Sequence, residues 1–471
     1  MPLTRCDVGQ VMSIDKLPDD VLLEIFDFFA EEHKSTKQAT EKWQTLVHVC
    51  RRWRNIVFRS PRRLNLRLFC SNKTPARDTL YVWPALPLFI ECNESAESVD
   101  DIVAVLERSE CLCHIDLTNF ESSDMEQFSA AMQVPFPELR HLQLWSFDET
   151  VSALPDSFLG GSAPRLEDFS LHQIPFPGLP KLLLSATHLI TLQLDNIPHS
   201  GYISPEAIVA ALSTLTRLKT LWLRFKSPQS CPDRARQRPP PSTRSVLPAL
   251  THFWFKGVSE YLEVVVTRID TSRLNKLYIT FFNEIVFDTP QLVQFISCTP
   301  IWRLLGKARV SFGDDAAKVR LSSQTSGKGE EIEVRVPCRE LDWQVSSMEQ
   351  VCTSCLPPLP ALEDLHVHEN LRWRELEDWE DNIENALWLE LLLPFTSVKN
   401  LYLSEYVARR IVPALQELVG ERATEVLPTL QNIFLEERQA SGLVQKGIQQ
   451  VIAVRQVAGH PIAVLYGQKV R

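Results

Sequence analysis

A short apolar pattern, L-x-x-L-x-L, recurs along most of this chain of 471 residues. Within each copy the apolar and polar positions alternate, which predicts a β-strand with one buried face. Successive copies in the two uninterrupted stretches begin 23 to 36 residues apart, and self-similarity at such a period indicates a repeat architecture. The copies begin at Leu112, Leu139, Leu166, Leu189, Leu218, Leu250, Leu274, Leu362, Val398 and Leu430.

Segments with apolar residues at helical spacing lie between these strands, and they predict helices. A strand, a loop and a helix repeated in this order predict an α/β fold, a parallel solenoid with its strands on the concave face and its helices outside. The leucines then point into the core, and the residues between them point to the concave surface. The predicted helices are residues 98–107, 124–132, 205–215, 290–297, 381–393 and 407–419.

Two stretches interrupt the array, and a third ends it. Residues 226–246 are rich in Pro and Arg, which is typical of a flexible surface loop. Residues 318–336 alternate in polarity around a Gly-containing centre and predict a β-hairpin insertion. Residues 339–347 are predicted to be a further, atypical strand. A helix over 441–457 and a strand over 459–467 are predicted to cap the array, which would otherwise end in an open edge.

The first 60 residues carry a different pattern, with two apolar stripes at helical spacing. Pro18 stands at a first helical position, where its missing N–H costs nothing, and two aspartates follow it. Short helices in about 45 residues bury only a small core, so we expect this unit to lean on a partner. The first stripe is Val21, Leu22, Ile25, Phe26 and Phe29, and the second is Trp43, Leu46, Val47, Cys50, Trp53, Ile56 and Val57.

The letters LPDDVLLEIF from Leu17 and LVHVCRRWRNIV from Leu46 resemble the F-box. This resemblance covers residues 17–57 and implies binding to the Skp-family adaptor of cullin–RING ubiquitin ligases. The link over residues 30–42 is longer and more polar than in the usual F-box. The alternative is that both stripes are plain helical core with no partner. The resemblance implies that the following residues contact the adaptor or support the contact: Leu17, Pro18, Val21, Leu22, Ile25, Phe26, Val49, Cys50 and Trp53.

The chain as a whole resembles divergent fungal F-box proteins whose C-terminal part is built from leucine-rich repeats. LPALEDLHV from Leu359 and VRQVAGHPIAV from Val454 carry this similarity. It implies a substrate-recognition subunit of an SCF-type ubiquitin ligase that captures an unknown protein target. The alternative is a leucine-rich-repeat interaction scaffold without a ligase. The implied domains are an F-box over 1–65, a connecting or N-terminal cap region over 66–110, an irregular solenoid over 111–438 and a C-terminal cap over 439–471.

Composition narrows the class of protein. Lys and Arg total 49 against 59 Asp and Glu, a net charge of −10, which argues against a general nucleic-acid binder. The sequence contains no apolar run long enough to predict a membrane span. Its first residues contain no apolar stretch of the length that a secretory signal needs. The 11 cysteines are therefore expected to be reduced thiols of a cytoplasmic or nuclear protein.

The sequence contains no nucleophile elbow, phosphate-binding loop or zinc-protease motif, so no enzyme activity and no cofactor are expected. The best metal candidate is Cys352 and Cys355 followed by His366 and His368. Zinc sites of this kind have histidines three to five residues apart, whereas these are two apart on a predicted strand. The favoured interpretation is buried or incidental cysteines, with a zinc site as the alternative.

Outward positions on the predicted strands carry unusually large aromatic residues. Exposed aromatic patches mark interaction sites, and Trp, Tyr and Arg are the usual anchors of protein interfaces. We therefore predict that Trp222, Trp254 and Tyr278, flanked by Arg224 and Lys256, bind the target. The alternative is that loops or the hairpin cover these rings as core. The residues at this position are Gln143, Ser170, Gln193, Trp222, Trp254, Tyr278, His366, Tyr402 and Phe434.

Overall fold

Each of the ten leucine motifs contains a β-strand in the computed structural model. The structure describes residues 14–31, 39–60, 66, 68–70, 86–93, 99–148, 150–228, 244–282, 289–323, 329–358, 360–370, 383–436 and 442–467. The strands are β1 Leu68–Cys70, β2 Leu88–Asn93, β3 Leu112–Phe120, β4 His141–Ser146, β5 Asp168–His172, β6 Thr191–Ile197, β7 Thr220–Phe225, β8 Ser245–Val246, β9 His252–Gly257, β10 Ile269–Asp270, β11 Lys276–Phe281, β12 Lys307–Gly313, β13 Ala317–Ser322, β14 Glu331–Val336, β15 Asp364–Asn370, β16 Asn400–Leu403, β17 Asn432–Glu436 and β18 Ala463–Gly467.

Helices alternate with these strands. Over the described ranges there are thirteen: α1 Asp19–Glu31, α2 Ala39–Val49, α3 Arg51–Arg59, α4 Val99–Leu106, α5 Ser122–Ala131, α6 Leu179–Leu183, α7 Pro205–Leu212, α8 Ser259–Arg268, α9 Pro290–Cys298, α10 Leu341–Ser354, α11 Asn385–Leu392, α12 Glu405–Gln416 and α13 Gly442–Val457. Most of the predicted link over 30–42 and of the predicted loop over 226–246 lies outside the described residues.

Sixteen strands form one sheet in the order β1-β2-β3-β4-β5-β6-β7-β9-β11-β14-β13-β12-β15-β16-β17-β18. Neighbouring strands are parallel except at β12–β13 and β13–β14, which are antiparallel. The short strands β8 and β10 form a separate parallel pair. The predicted α/β class with a long, mainly parallel sheet is therefore confirmed, and the repeated strand and helix units make it a leucine-rich-repeat-like solenoid.

The strands have one buried and one half-buried face. In β7, Leu221, Leu223 and Phe225 are buried, while Trp222 and Arg224 are half-buried. The same alternation occurs in β4, β9, β11 and β14. Because side chains along a strand point to opposite faces, the buried residues form a continuous core with the helices. The half-buried residues define the other face, called here the open face of the sheet.

An aromatic cluster fills the core beneath the middle of this face. Phe225 lies 4.9 Å from Tyr261 between ring centroids and also contacts Phe255. The Tyr261 hydroxyl donates a hydrogen bond to the carbonyl oxygen of Ile203 at 2.9 Å. Gly257 ends β9 against these rings, and a Cβ there would lie 2.7 Å from the Phe255 ring. Glycine is therefore required by the close approach of the phenylalanine.

The prediction of a strand over residues 339–347 is wrong, because helix α10 begins at Leu341 and includes residues 341–347. Leu341 and Trp343 alternate as strand residues would, yet Trp343 is exposed. The buried residues Leu341, Val345 and Met348 instead recur at spacings of four and three, which is the helical period. The sequence analysis also did not predict strand β12. Its buried residues do not include the leucines by which the other strands were recognised.

Strands β12, β13 and β14 reverse the direction of the sheet and then restore it. β12 pairs in parallel with β15, and β14 pairs in parallel with β11. β13 lies between β12 and β14 and is antiparallel to both. The chain thus skips two positions after β11, places β12 in the third and fills the skipped two backwards with β13 and β14, so that the open face continues without a gap. Over the described residues no helix is both long and apolar enough to cross a membrane.

Candidate binding surfaces

The N-terminal helices α1 to α3 divide the predicted adaptor-binding residues by burial. Leu22 and Phe26 are fully buried, and the Phe26 ring lies 4.7 Å from the ring of Trp53 between centroids. These two side chains therefore support the surface and do not form it. Leu17, Cys50 and Trp53 are half-buried, and Pro18, Val21, Ile25 and Val49 are exposed.

An apolar stripe remains exposed along α1. Val21, Ile25 and Phe28 have exposed fractions of 42%, 40% and 70%. Their spacing of four and three residues places them on one face of the helix. Phe28 was not among the predicted contacts, although its position seven residues after Val21 would have indicated it. Exposed apolar side chains in a row are a feature of interaction surfaces.

Polar contacts fix the start of α1 against α3. The Arg52 guanidinium donates hydrogen bonds to the Asp19 carboxylate and to the Leu17 carbonyl oxygen, both at 2.6 Å. The Cys50 Sγ accepts a hydrogen bond from the backbone N–H of Trp53 at 3.5 Å and so caps α3. These contacts hold the two segments that carry the F-box resemblance in one unit.

The open face carries the predicted aromatic residues as one stack, defined here as the Trp222 stack: Trp222, Trp254 and Tyr278. The three occupy the same register position on β7, β9 and β11. The ring centroids of Trp222 and Trp254 are 4.9 Å apart, and those of Trp254 and Tyr278 are 5.1 Å apart. Trp254 and Tyr278 are stacked face to face, and Trp222 is tilted by 40° against Trp254. All three side chains are half-buried. The Trp222 Nε1 has no hydrogen-bond acceptor among the described residues.

Arg224 lies beside this stack, with its guanidinium 5.6 Å from the centre of the Trp222 ring. Its Nε is 3.3 Å from the Asp195 carboxylate, which also contacts His172 at 3.2 Å. Burial by itself would raise the pKa of Asp195, but the His172 hydrogen bond and the Arg224 charge outweigh it and lower that pKa. Arg224 is thus held in place by an ionised carboxylate.

Lys256 and Tyr278 complete the predicted set of target-binding residues. Burial and the neighbouring charge of Arg224 lower the pKa of Lys256. Burial and the charge of Glu331 raise the pKa of Tyr278 to about 12. The Tyr278 phenol therefore stays protonated and donates a hydrogen bond to the Glu331 carboxylate at 3.1 Å.

A second row of rings lies further along the open face and is defined here as the Tyr402 stack: His366, Tyr402 and Phe434. Their ring centroids are 4.0 and 4.3 Å apart and their planes are almost parallel. Burial lowers the pKa of His366 to about 3, and the charges of Lys307, Arg309 and His368 add to the effect. The imidazole is therefore neutral at physiological pH and stacks as an uncharged ring.

The metal candidate is not assembled. Cys352 lies in α10 and Cys355 directly after it, and both are buried. His366 and His368 lie on β15, and His366 stacks on Tyr402. Burial raises the pKa of the Cys352 thiol. Within the described part of the chain, no three His, Cys, Asp or Glu side chains come together as a metal cluster.

Comparisons with known proteins find likeness among solved structures. No protein-family profile matches the chain, and no curated protein matches its sequence. Among solved structures, the chain is similar to the crystal structure of the leucine-rich repeat-containing protein LegL7 from Legionella pneumophila. The TM-score is 0.28 and the sequence identity is 10%, over 82% of this chain and 97% of that chain.

Proposed function

We propose that this chain is the substrate-recognition subunit of a cullin–RING ubiquitin ligase of the SCF type. The N-terminal helices would bind a Skp-family adaptor, and the open face of the solenoid would hold a protein target. The subunit would act without catalytic residues of its own, in the cytoplasm or nucleus, by holding target lysines near the transferred ubiquitin. The observation that carries this proposal is the exposed apolar stripe on α1, within the segment that resembles the F-box.

The stripe favours a docking role because its neighbours already form a core. Leu22 and Phe26 pack from an adjacent face of α1, about 100° around the helix axis, and Val21 and Ile25 stay exposed, so they are not needed for the fold of this unit. When a partner covers half-exposed apolar side chains, binding is stabilised by roughly 25 cal/mol per Å² of apolar surface removed from water. A plain interaction scaffold without a ligase would not need this stripe.

Replacing both Val21 and Ile25 by glutamate is expected to reduce adaptor recovery at least about tenfold, because a carboxylate buried in an apolar contact is costly. The measurement is co-purification from cells followed by quantitative mass spectrometry. Val457→Glu is the matched control, because Val457 is 91% exposed at the end of α13. Failure of the unaltered chain to recover a Skp-family adaptor would favour the scaffold and refute the ligase.

Replacing Trp222 and Trp254 together by alanine is expected to weaken target capture at least about tenfold, because aromatic anchors each contribute about 2 kcal/mol or more to an interface. Adaptor recovery should not change. Trp343→Ala is the control, since Trp343 is exposed on α10 and not on the open face. Loss of the folded state in the double variant would assign these rings to the core instead.

A further inference from the structure

The centre of the open face carries a surplus of positive charge. Strands β9, β11, β12, β13 and β14 present seven Lys or Arg side chains there against two Glu. Three of these cations have carboxylate partners: Lys318 and Arg320 contact Glu333, and Arg335 contacts Asp315. The surplus therefore lies in the other four.

These four side chains are defined here as the basic centre: Lys256, Lys276, Lys307 and Arg309. Each is half-buried on the open face. Among the residues that the structure describes, none of the four has a carboxylate within 4.0 Å. Burial and the charge of Arg309 lower the pKa of Lys307, and burial and the charge of Lys276 lower the pKa of His252. Asp195 and Asp364 act on Lys256 and Lys307 only from beyond 4.0 Å and do not reverse the lowering of the pKa of either lysine. Cations with so little compensation favour an anion brought by a partner.

The positive charge of the basic centre contrasts with the rest of the chain and with the rest of the open face. The whole chain has a net charge of −10. Strands β2 to β6, on the same face, present Glu91, Asp116, Asp168 and Asp195. The basic centre would attract an acidic partner, and the carboxylates of the N-terminal strands would repel it. These two effects together would place the partner at the centre of the open face. A long nucleic-acid polyanion would meet this repulsion along much of its length.

Aromatic surface lies on both sides of Lys307 and Arg309 on β12, whereas Lys256 and Lys276 lie on β9 and β11, beside the Trp222 stack. The Trp222 stack ends at Tyr278 on β11, and the Tyr402 stack begins at His366 on β15. β14, β13 and β12 lie between them, so four strand steps separate the two stacks. At about 4.8 Å per step the gap is about 19 Å, which an extended peptide crosses with about six residues. Apolar side chains at either end of such a run would reach one stack each.

We propose that the basic centre binds an extended segment of the target in which about six residues rich in Asp and Glu lie between two apolar or aromatic anchors. This inference rests on the proposed role of the open face in target binding. The cations are spread over three strands, and Lys307 and Arg309 are two residues apart on one of them. They do not converge as donors to a single phosphate would, so separate carboxylates fit them better.

A labelled peptide tests this directly. The probe is a fluorescein-labelled peptide of six alternating Glu and Asp residues between two Trp-Leu pairs, titrated against the full-length chain by fluorescence anisotropy at low salt. We expect saturable binding that weakens as salt screens the charges. Lys307→Glu with Arg309→Glu should weaken it at least about tenfold. The matched control, Arg339→Glu with Lys446→Glu, makes the same charge change at exposed positions away from this face and should stay within about twofold.

A second pair of substitutions separates loss of charge from loss of the folded state. Lys256→Gln with Lys276→Gln removes two charges without introducing any and should weaken binding at least about threefold. No binding by the unaltered chain, equal losses in the control pair, or equal binding of a peptide with Gln in place of Glu and Asp would overturn the inference. So would tighter binding of a six-nucleotide RNA, or binding only when the acidic run is replaced by phosphoserine. Adaptor recovery is measured in a separate experiment. If the chain binds the peptide but recovers no adaptor from cells, the proposed ligase role is refuted and the inference about the basic centre stands.

Discussion

Replacing Phe225 by alanine is expected to lower the free energy of unfolding by about 3–5 kcal/mol, because it leaves a cavity that the surrounding rings cannot close. Phe225 is 1% exposed and contacts Tyr202, Phe255 and Tyr261. The Tyr261 ring is fixed by its hydrogen bond to the Ile203 carbonyl oxygen. Relaxation into the cavity would break that bond, which keeps the expected loss in the upper part of the usual range.

Denaturation in urea, followed by circular dichroism, measures this effect. Phe147→Ala is the matched control, because it deletes the same ring from a position that is 61% exposed in the folded protein. The control should lose less than about 1 kcal/mol. Similar losses in the two variants would contradict the packing described for the centre of the solenoid. The Trp222 stack lies on the other side of β7, so the Phe225 variant also tests whether the stack depends on the core behind it.

Acidification from pH 7 to pH 4 is expected to destabilise the protein by about 3 kcal/mol through His366 alone. Its pKa is about 3 in the folded protein, below the ordinary histidine value of 6.5. Between these values the unfolded chain binds the proton and the folded chain does not, so the stability is present above about pH 6.5 and is lost as the pH falls towards 3. The groups that face the ring are Lys307, Arg309, His368 and Tyr402.

The measurement is urea denaturation of the unaltered chain and of His366→Phe at pH 7, 5.5 and 4. Phenylalanine keeps a ring for the stack on Tyr402 and does not titrate, so the variant should lose less stability on acidification. His460→Phe is the control, because His460 is exposed. An unchanged pH dependence in the His366 variant would show that this imidazole is not protected from protons.

The sequence predicted the repeated strands well, because alternation of apolar residues is a local property. It also placed Trp222, Trp254 and Tyr278 together, since equivalent positions in successive parallel repeats lie in register. The F-box contacts, the target-binding role and the domain boundaries stay predictions.

The basic centre could not be predicted in the same way. Its assembly depends on the order β11-β14-β13-β12-β15, which places Arg309 next to His366 although they are far apart in sequence. β12 buries Ala308, Val310 and Phe312 and has no leucine, so its outward side chains were not recognised as part of this face. Helix α10 was misread because two alternating residues at its start imitate a strand.

The reversal at β12 to β14 has a consequence for synthesis on the ribosome. The strands of the main sheet up to β11 can dock one after another as they emerge, each on the main-sheet strand that was made before it. The next strand to emerge does not dock on β11, whose neighbour is residues 331–336, about 50 residues later. At about 5–20 residues per second, the edge of β11 stays unpaired for several seconds. During that interval the nascent chain presents the kind of open strand edge that invites wrong pairing, which makes this point of translation the natural one for a chaperone to act.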